Sequence, residues 1–302
     1  MKIDLVAFDS FGIKSMCTRV ETKDVTVTID PGIAVETGSF PLPDEEKIRL
    51  IMEYEEAIRK GCEISDVIVI THYHYDHHIP VADKEMYGDK ILLIKDPLRY
   101  INKSQRYRAS EFLNLVEGVA KEIKIADGQS IKFGGTKLDF SRPLWHGVEN
   151  SKLGYVLMLA IEEKEKMLFS SDISGPMIEE YADMIIKEKP DVLILDGPPT
   201  YILGYIMSYK NLARAISNIE KIVGKIEGKI ILDHHLMRDY RYKDLLKIVY
   251  DKAVELEKEV LSAAEAKGEE PMVLRGVKKY GTTKWEKWEP ITREKLEKML
   301  ER

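Results

Sequence analysis

Residues 71–78, THYHYDHH, contain four of the seven histidines of this 302-residue chain, together with one aspartate. In an extended segment, side chains two residues apart point the same way, so His72, His74 and Asp76 are expected to converge on one side. We expect His77 to turn inward as the chain bends. Three imidazoles and a carboxylate in one small volume are costly to bury unless a metal ion binds them. The segment therefore predicts a metal site.

The other three histidines also follow apolar, strand-like runs. His146 comes directly after Leu144 and Trp145, and the pair His234 and His235 follows an apolar strand. The ends of strands are loops, where rigid folds commonly carry functional side chains. Neutral imidazole and carboxylate suit Zn, Mn or Fe, whereas the chain has only two cysteines, far apart in sequence. These donors predict an open, catalytic type of metal site.

The elements around these loops are predicted from apolar periodicity and turn residues. We predict strands at the N-terminus and over residues 25–29, 65–70, 91–94, 153–161, 167–170, 192–195 and 229–232. We predict helices from 44 to just before Gly61, and over about 100–120, 211–223 and 242–266. Residues 121–140, with two glycine-containing turns, predict consecutive hairpins. This alternation predicts sheets stacked face to face with helices outside.

The ordered set of motifs resembles the metallo-β-lactamase superfamily over most of the chain. His72, His74, Asp76 and His77 resemble the family's H-x-H-x-D-H signature. His146 resembles its next histidine, Asp172 its bridging aspartate and His234 its last histidine. Supporting matches occur in the family's order at residues 29–32, 127–128 and 153–155. The chain is most similar to an uncharacterised archaeal group of metal-dependent hydrolases.

This resemblance implies an α/β (α+β) protein, a four-layer αββα sandwich with two divalent metal ions at the edge of the two sheets. It implies a first metal site of His72, His74 and His146, a second of Asp76, His77 and His234, and Asp172 between them. Zinc is the expected metal, with Mn and Fe as alternatives. A hydroxide held by both ions would attack a carbonyl or phosphoryl centre. Asp76 is the predicted catalytic residue, which orients that hydroxide or passes its proton to the leaving group.

Several positions near this pattern leave alternatives open. His235 is the alternate last ligand, but Arg238 stands four residues after His234, as an arginine does in the similar ribonuclease Z branch, which favours His234. Asp196 is predicted either to fix the orientation of a ligand imidazole or to cap the following turn. His78 falls outside the matched pattern and is predicted not to bind metal.

Substrate recognition is predicted from aromatic residues near the ligands. Tyr73, Tyr75, Tyr201 and Tyr205 are candidate walls, with ordinary packing as the alternative, because aromatic rings offer apolar area and a hydroxyl. The predicted substrate is a small-molecule ester, thioester, lactone or phosphodiester. Cleavage of RNA by a ribonuclease Z-like nuclease and metal-based redox or sensing are the alternatives. Residues 278–302 hold eight Lys or Arg against five Asp or Glu, either as a basic track for RNA or as a solvated helix.

Composition and charge limit the remaining classes. The chain, 44% hydrophobic, can bury a large core, and we predict one domain over residues 1–302 with a C-terminal extension from about 241. A net charge of −6 gives no overall attraction to nucleic acid. We expect a cytoplasmic protein with no membrane partner, because no long apolar run or secretory signal is found. Self-association is left open. The 32% charged content, rich in Lys and Glu, is typical of proteins from hot environments.

Overall fold

The structure is a computed structural model that describes residues 1–78 and 84–301. Its strands are β1 Lys2–Phe8, β2 Met16–Glu21, β3 Thr26–Ile29, β4 Val67–Ile70, β5 Ile91–Ile94, β6 Glu122–Ile125, β7 Ser130–Phe133, β8 Thr136–Phe140, β9 Leu144–Trp145, β10 Tyr155–Val156, β11 Leu159–Glu162, β12 Lys166–Phe169, β13 Val192–Asp196, β14 Lys229–Asp233 and β15 Val260–Leu261. Its helices are α1 Asp44–Glu63, α2 Lys103–Val116, α3 Glu179–Glu188, α4 Tyr209–Lys225, α5 Tyr242–Leu245, α6 Lys247–Glu255, α7 Ala263–Ala266, α8 Met272–Tyr280 and α9 Arg293–Glu301.

Most of these strands belong to two sheets. The first has the order β1-β2-β3-β4-β5-β6, antiparallel up to β3 and parallel from β3 to β6. The second has the order β15-β14-β13-β12-β11-β8-β7, parallel from β15 to β12 and antiparallel from there to β7. β9 and β10 form a separate two-stranded ribbon. The parallel parts of both sheets require crossover helices, which cover the outer faces.

Strand β4 shows how the sequence builds the layers. All four of its residues are buried: Val67 and Val69 pack in the core between the sheets, and Ile68 and Ile70 pack in the core beneath the helices. A strand covered on both faces is a continuous apolar run rather than an alternating one. The same alternation recurs in β13 and β14. The predicted αββα sandwich is confirmed.

Three predicted elements differ in the structure. Helix α1 continues through Gly61 to Glu63, because Gly61 is buried inside the last turn rather than standing past the end of the helix. The predicted consecutive hairpins of residues 121–140 are wrong, since β6 pairs in parallel with β5 and only β7 and β8 form a hairpin.

Asp127 lies where the chain passes from one sheet to the other, and it accepts hydrogen bonds from the Asp96 backbone and the Lys95 ammonium.

The predicted long helix over residues 242–266 is also wrong. It is divided into α5, α6, the short strand β15 and α7. Glu257 adopts a left-handed φ of 54° just after α6, and β15 then extends the second sheet beside β14, where it buries Val260. Ser262 begins a new helix by accepting a hydrogen bond from the Glu265 backbone. Edge pairing therefore overrides the helical periodicity of this segment.

None of the helices in the described ranges is both long and apolar enough to cross a bilayer.

Candidate metal centre

The structure brings all seven predicted metal ligands together. Each lies in a loop that follows a strand: residues 72–77 follow β4, His146 follows β9, Asp172 follows β12 and His234 follows β14. These strands come from both sheets and the ribbon, and the loops after them meet in a single cluster. The clustering is the geometry that the sequence motifs predicted, although the ligand roles themselves remain a proposal.

The first group consists of His72, His74, His146 and Asp172, whose potential ligand atoms all lie within 4.8 Å of one another. The Nε2 atoms of His72 and His146 lie 3.4 and 3.2 Å from Asp172 Oδ2. His74 joins them through its Nδ1, 3.1 Å from His72 Nε2. Three imidazole nitrogens and one carboxylate oxygen therefore point toward one volume, which is the donor set of an open metal site.

The second group consists of Asp76, His77 and His234, again within 4.8 Å of one another. The Nε2 atoms of His77 and His234 lie 3.0 and 3.3 Å from Asp172 Oδ1. Asp172 is almost completely buried and directs one oxygen to each group. Asp172 therefore offers one carboxylate oxygen to each of the two groups of histidines.

Three buried atoms of this cluster support the fit to metal ions. Among the described residues, His77 Nε2, His234 Nε2 and Asp172 Oδ1 form no hydrogen bond of good geometry, although the two nitrogens lie 3.0 and 3.3 Å from that oxygen. A buried polar atom without a hydrogen bond costs about 1–3 kcal/mol, and a divalent ion between these three atoms would satisfy all of them. Nitrogen and oxygen donors without thiolate suit Zn, Mn or Fe. The residues present therefore fit a pair of divalent ions.

Two further carboxylates contact two of the predicted ligand histidines. Neither was predicted from the sequence as part of the site. Asp30 Oδ2 lies 2.8 Å from His77 Nδ1, and Asp9 Oδ1 lies 3.0 Å from His234 Nδ1. Such partners fix the ring orientation and increase the basicity of the free nitrogen. From the sequence, Asp30 was predicted only as part of the matched turn motif of residues 29–32. The signal that could have found both is an acidic residue at the end of a strand, since Asp9 follows β1 and Asp30 follows β3.

Burial and charge push the histidine pKa values in opposite directions. Burial, with the nearby His77, lowers the pKa of His72 to about 3. Burial also acts to lower the pKa of His77, but the carboxylates of Asp172 and Asp30 outweigh it and raise that pKa to about 10. Despite burial, His77 and His234 hold the pKa of Asp172 well below its ordinary value. His72 is therefore neutral and Asp172 ionised near pH 7, whereas the raised pKa of His77 keeps that ring protonated in the absence of a metal, so a divalent ion bound at the second group would displace its proton.

The geometry separates His234 from its neighbour. His235 Nδ1 lies 2.9 Å from Asp196 Oδ1, while Asp196 Oδ2 accepts a hydrogen bond from the Ser174 backbone. Asp196 thus orients His235 rather than a favoured ligand. His235 still offers a nitrogen within 4.8 Å of ligand atoms of His234 and Asp172. The contact of His234 Nε2 with Asp172 favours His234 as the ligand.

The backbone of the centre is held in unusual conformations. Asp30, Ser171 and His234 have left-handed φ values of 49°, 53° and 59°. Non-glycine residues adopt this region rarely, and they cluster at functional sites where surrounding contacts hold them. Gly32 is required for a different reason: a Cβ there would lie 2.2 Å from the backbone nitrogen of His77. The loop that carries the ligands is therefore packed directly against the backbone of Gly32.

A cavity of about 800 Å³ opens onto the cluster. Its lining includes His74, Asp76, His146, Asp172 and His235, and also Tyr75, Tyr201 and Arg238. Arg238 is buried and donates hydrogen bonds to Asp9, to the Tyr201 hydroxyl and, at 3.4 Å, to Asp76 Oδ2. It therefore links the wall of the cavity to the second metal group.

Two predicted walls do not line this cavity. Tyr73 is completely buried, donates a hydrogen bond to the Lys95 carbonyl oxygen at 2.6 Å and packs against Phe112, so its prediction as a substrate wall is wrong. The alternation of the extended segment explains the difference, because Tyr73 points away from the face that carries His72 and His74. Tyr205 is 86% exposed beside the cavity. His78 is buried and places Nδ1 2.9 Å from the His74 carbonyl oxygen.

The C-terminal basic residues are engaged in contacts within the protein. Lys278 pairs with Glu270, and Lys279 pairs with Glu46. Lys284 donates to the Tyr201 carbonyl oxygen. Two of the positive charges that were predicted as a possible track for RNA, those of Lys278 and Lys279, are thus paired with carboxylates.

Comparisons with known proteins identify relatives over nearly the whole chain. No family model matches it. A UPF0282 protein of Methanopyrus kandleri is 39% identical over 287 residues, which cover 91% of this chain and 96% of the relative. A UPF0282 protein of Korarchaeum cryptofilum is 42% identical over 268 residues, which cover 88% of this chain and 89% of the relative.

Solved structures show the likeness of fold. Yeast PDE1 superposes with a TM-score of 0.52 at 12% identity, over 86% of this chain and 95% of its own. A possible metal-dependent hydrolase from Veillonella parvula superposes with a TM-score of 0.50 at 17% identity, over 83% of this chain and 95% of its own. Together with the identity to the archaeal relatives, these results show that the chain belongs to the UPF0282 family and has the metallo-β-lactamase fold.

Proposed function

We propose that this protein is a metal-dependent hydrolase that binds two divalent ions, zinc in the first place, and acts on a small molecule. The observation that carries the proposal is the bridging geometry of Asp172. Its Oδ2 faces His72 and His146, and its Oδ1 faces His77 and His234. A pair of donor groups joined by one carboxylate suits two ions a short distance apart, as in two-metal hydrolytic sites. The similarity in fold to the possible metal-dependent hydrolase of Veillonella parvula is consistent with this.

Bound there, two divalent ions would supply a hydroxide near neutral pH and stabilise negative charge on the attacked centre. The chain's own residues prepare the surroundings of that reaction. Burial acts to raise the pKa of Asp76, but His77 and Arg238 hold it well below its ordinary value, so the carboxylate is ionised. Asp76 also lines the cavity, where an ionised carboxylate can orient a water molecule or accept its proton. Arg238 fixes the position of Asp76 from behind.

The cavity favours a small molecule as substrate. About 800 Å³ is within the range of pockets that enclose drug-sized ligands. The alternative of RNA cleavage needs a continuous track of free positive charge. Lys278 and Lys279, the first residues of the predicted track, are paired with carboxylates. An ester, thioester, lactone or phosphodiester of small size therefore remains the proposed substrate class.

Metal content and hydrolysis test the proposal together. Protein purified without chelator should contain up to two transition-metal ions per chain by elemental analysis. It should hydrolyse at least one of bis-p-nitrophenyl phosphate, aryl esters, lactones and thioesters in a reaction that EDTA stops. Short RNAs in the same panel test the alternative. Absence of bound metal, with no uptake of added Zn, Mn or Fe, would refute the site.

The histidine pair provides the matched variants. His234→Ala should empty the second metal group and abolish hydrolysis, because His234 Nε2 faces Asp172. His235→Ala should retain the metal content of the wild type, because Asp196 holds the ring of His235 through Nδ1. If only His235→Ala loses metal, His235 rather than His234 is the ligand.

A further inference from the structure

We infer that the substrate carries a negatively charged group separate from the bond that is cleaved, and that Lys14 and Arg108 bind this group; the inference rests on the proposed hydrolase function. Both side chains line the cavity beside the metal centre. Both are partly buried. Neither forms an ion pair with a carboxylate in the part of the chain that the structure describes; the charge of Lys14 acts on Glu36, whose pKa is raised by burial to about 8. A positive charge held in a cavity without a partner is a binding group for an anion.

The two cations belong to one continuous stretch of wall. The backbone of Lys14 exchanges hydrogen bonds of 2.9 and 3.0 Å with Ala34, which also lines the cavity. The next residue back, Ile33, donates to the Tyr75 carbonyl oxygen at 3.1 Å. The Arg108 guanidinium lies 4.3 Å from the centre of the Tyr75 ring. Stacking on an aromatic ring limits the orientations of a guanidinium. Its N–H groups can still donate hydrogen bonds to a ligand beside the ring.

The balance of charge along the cavity points the same way. Among the residues that the structure describes, the cationic lining residues are Lys14, Arg108, Lys152 and Arg238, and the lining carboxylates are Asp76 and Asp172, both proposed metal ligands. Two bound divalent ions would more than neutralise those carboxylates. Among the described lining residues, no acidic side chain then remains to oppose the cations. Arg238 is already paired with Asp9 and Asp76, but a neutral substrate would leave the charges of Lys14 and Arg108 without a partner, whereas an anionic one would be attracted and oriented by them.

The rest of the lining describes the remainder of the substrate. Met177, Ile202, Ile206 and Met207 give the cavity an apolar wall, and they lie on different segments from Lys14 and Arg108. Apolar side chains with a few charged groups are typical of sites that bind small molecules with an apolar body and one polar handle. The proposed substrate is therefore a small ester or phosphoester with an apolar portion and a distal carboxylate or phosphate.

Hydrolysis of matched substrates tests the role of the two cations. 4-Nitrophenyl pentanoate and mono(4-nitrophenyl) adipate share the scissile aryl ester, but only the adipate carries a distal carboxylate; a 4-nitrophenyl ester with a distal phosphonate tests the phosphate source. The wild type should prefer the charged esters in kcat/KM by about tenfold or more, the range of one charge-assisted hydrogen bond. Lys14→Gln and Arg108→Gln should each reduce the ratio of kcat/KM for the charged ester to kcat/KM for the neutral ester. Arg108→Lys should restore part of it.

Arg106→Gln is the matched control. Arg106 lies on the same helix, α2, and removing its charge alters the net charge equally, but Arg106 does not line the cavity and instead donates to the Leu98 carbonyl oxygen. The preference for charged esters should be the same in Arg106→Gln as in the wild type. An equal preference in Arg108→Gln and the wild type, or an equal loss in Arg106→Gln, would overturn the inference.

A binding measurement separates this inference from the proposed function. Calorimetry on the metal-loaded protein compares butylphosphonate with 4-phosphonobutanoate, which share one phosphonate and differ in a second, distal charge. The distal carboxylate should increase affinity about tenfold in the wild type and not in the Lys14→Gln, Arg108→Gln double variant. If the distal carboxylate increases affinity but the protein hydrolyses no substrate, the anion site is supported and the hydrolase function is refuted. If the protein hydrolyses substrates but the distal carboxylate does not increase affinity, only the anion site is refuted.

Discussion

Replacement of Asp9 by asparagine tests whether the carboxylates behind the ligands hold the centre together. Asp9 Oδ1 lies 3.0 Å from His234 Nδ1, 3.0 Å from Arg238 Nε and 2.9 Å from Arg238 Nη2, and the carboxylate is completely buried. Asp9→Asn removes the charge and keeps the shape. Arg238, only 5% exposed, would then retain one carboxylate, Asp76, at 3.4 Å. Both His234 and Arg238 therefore lose their nearest anion.

The expected magnitude follows from that burial. Removing one partner of a buried ion pair costs about 3–5 kcal/mol, because the other charge stays buried without compensation. At about 2 °C per kcal/mol for a chain of this size, the melting temperature should fall by roughly 6–10 °C. Loss of the partner of a ligand histidine should also weaken metal binding by about 10- to 100-fold.

Two assays measure these effects, with Asp196→Asn as the control. Thermal unfolding of metal-free protein gives the stability, and competition with a chromogenic zinc chelator gives the affinity. Asp196 is also buried against a histidine, but that histidine is His235, which is not the favoured ligand. Asp196→Asn should therefore keep the affinity for zinc. The reasoning fails if Asp9→Asn binds zinc as tightly as the wild type, or if both variants lose affinity equally.

Three further variants test the loop, the buried acid and the core tyrosine. Gly32→Ala should abolish metal binding because its Cβ would overlap the His77 backbone, whereas Gly38→Ala, which has no atom within 4 Å of such a Cβ, should bind metal normally. Burial raises the pKa of Glu36 to about 8, so its contribution to stability is present below its ordinary pKa of 4.5 and is lost as pH rises through 8. The melting temperature of Glu36→Gln should therefore match that of the wild type near pH 4.5 and exceed it by at least about 2 °C near pH 9. The lower bound follows because a pKa shift of one unit corresponds to about 1.4 kcal/mol of stability. A flat difference across this range would contradict the assignment. Tyr73→Phe should lower stability by about 1 kcal/mol through loss of the bond to the Lys95 carbonyl, without altering substrate preference; a changed preference would return Tyr73 to the cavity wall.

The sequence was informative where several motifs had to agree. The continuous apolar runs of β4, β13 and β14 predicted strands buried on both faces, and the histidines beyond them predicted the cluster. Those inferences succeeded because a strand end fixes where the next residues lie. The strand-end positions of Asp9 and Asp30 were a signal in the sequence, but the histidine that each carboxylate faces depends on contacts with His234 and His77 across 225 and 47 residues.

Other features depend on tertiary contacts that periodicity does not contain. The segment 242–266 has apolar spacing compatible with one helix, but the open edge of β14 pairs with β15 and interrupts it. The position of β6 in the first sheet, rather than in a hairpin, is decided by its pairing with β5. The first residues of the two strands, Ile91 and Glu122, pair with each other although they lie 31 residues apart in sequence. The cavity cations Lys14 and Arg108 gave no sequence signal, because isolated basic residues are usually solvated.

The contacts of the first loop with the last ligand loop affect how the protein is made. Asp9 holds His234 and Arg238, the Ser10 backbone donates to Asp233 at 3.1 Å, and the Ala264 backbone donates to the Ser10 hydroxyl at 3.0 Å. During translation, the N-terminal segment must wait until more than two-thirds of the chain has left the ribosome before these partners exist. Contacts between residues so distant in sequence form late and slowly. The second group of predicted ligands is thus completed only after residue 234 has emerged, and a nascent chain stalled before that residue would carry its histidine-rich loop without the side chains that complete the group.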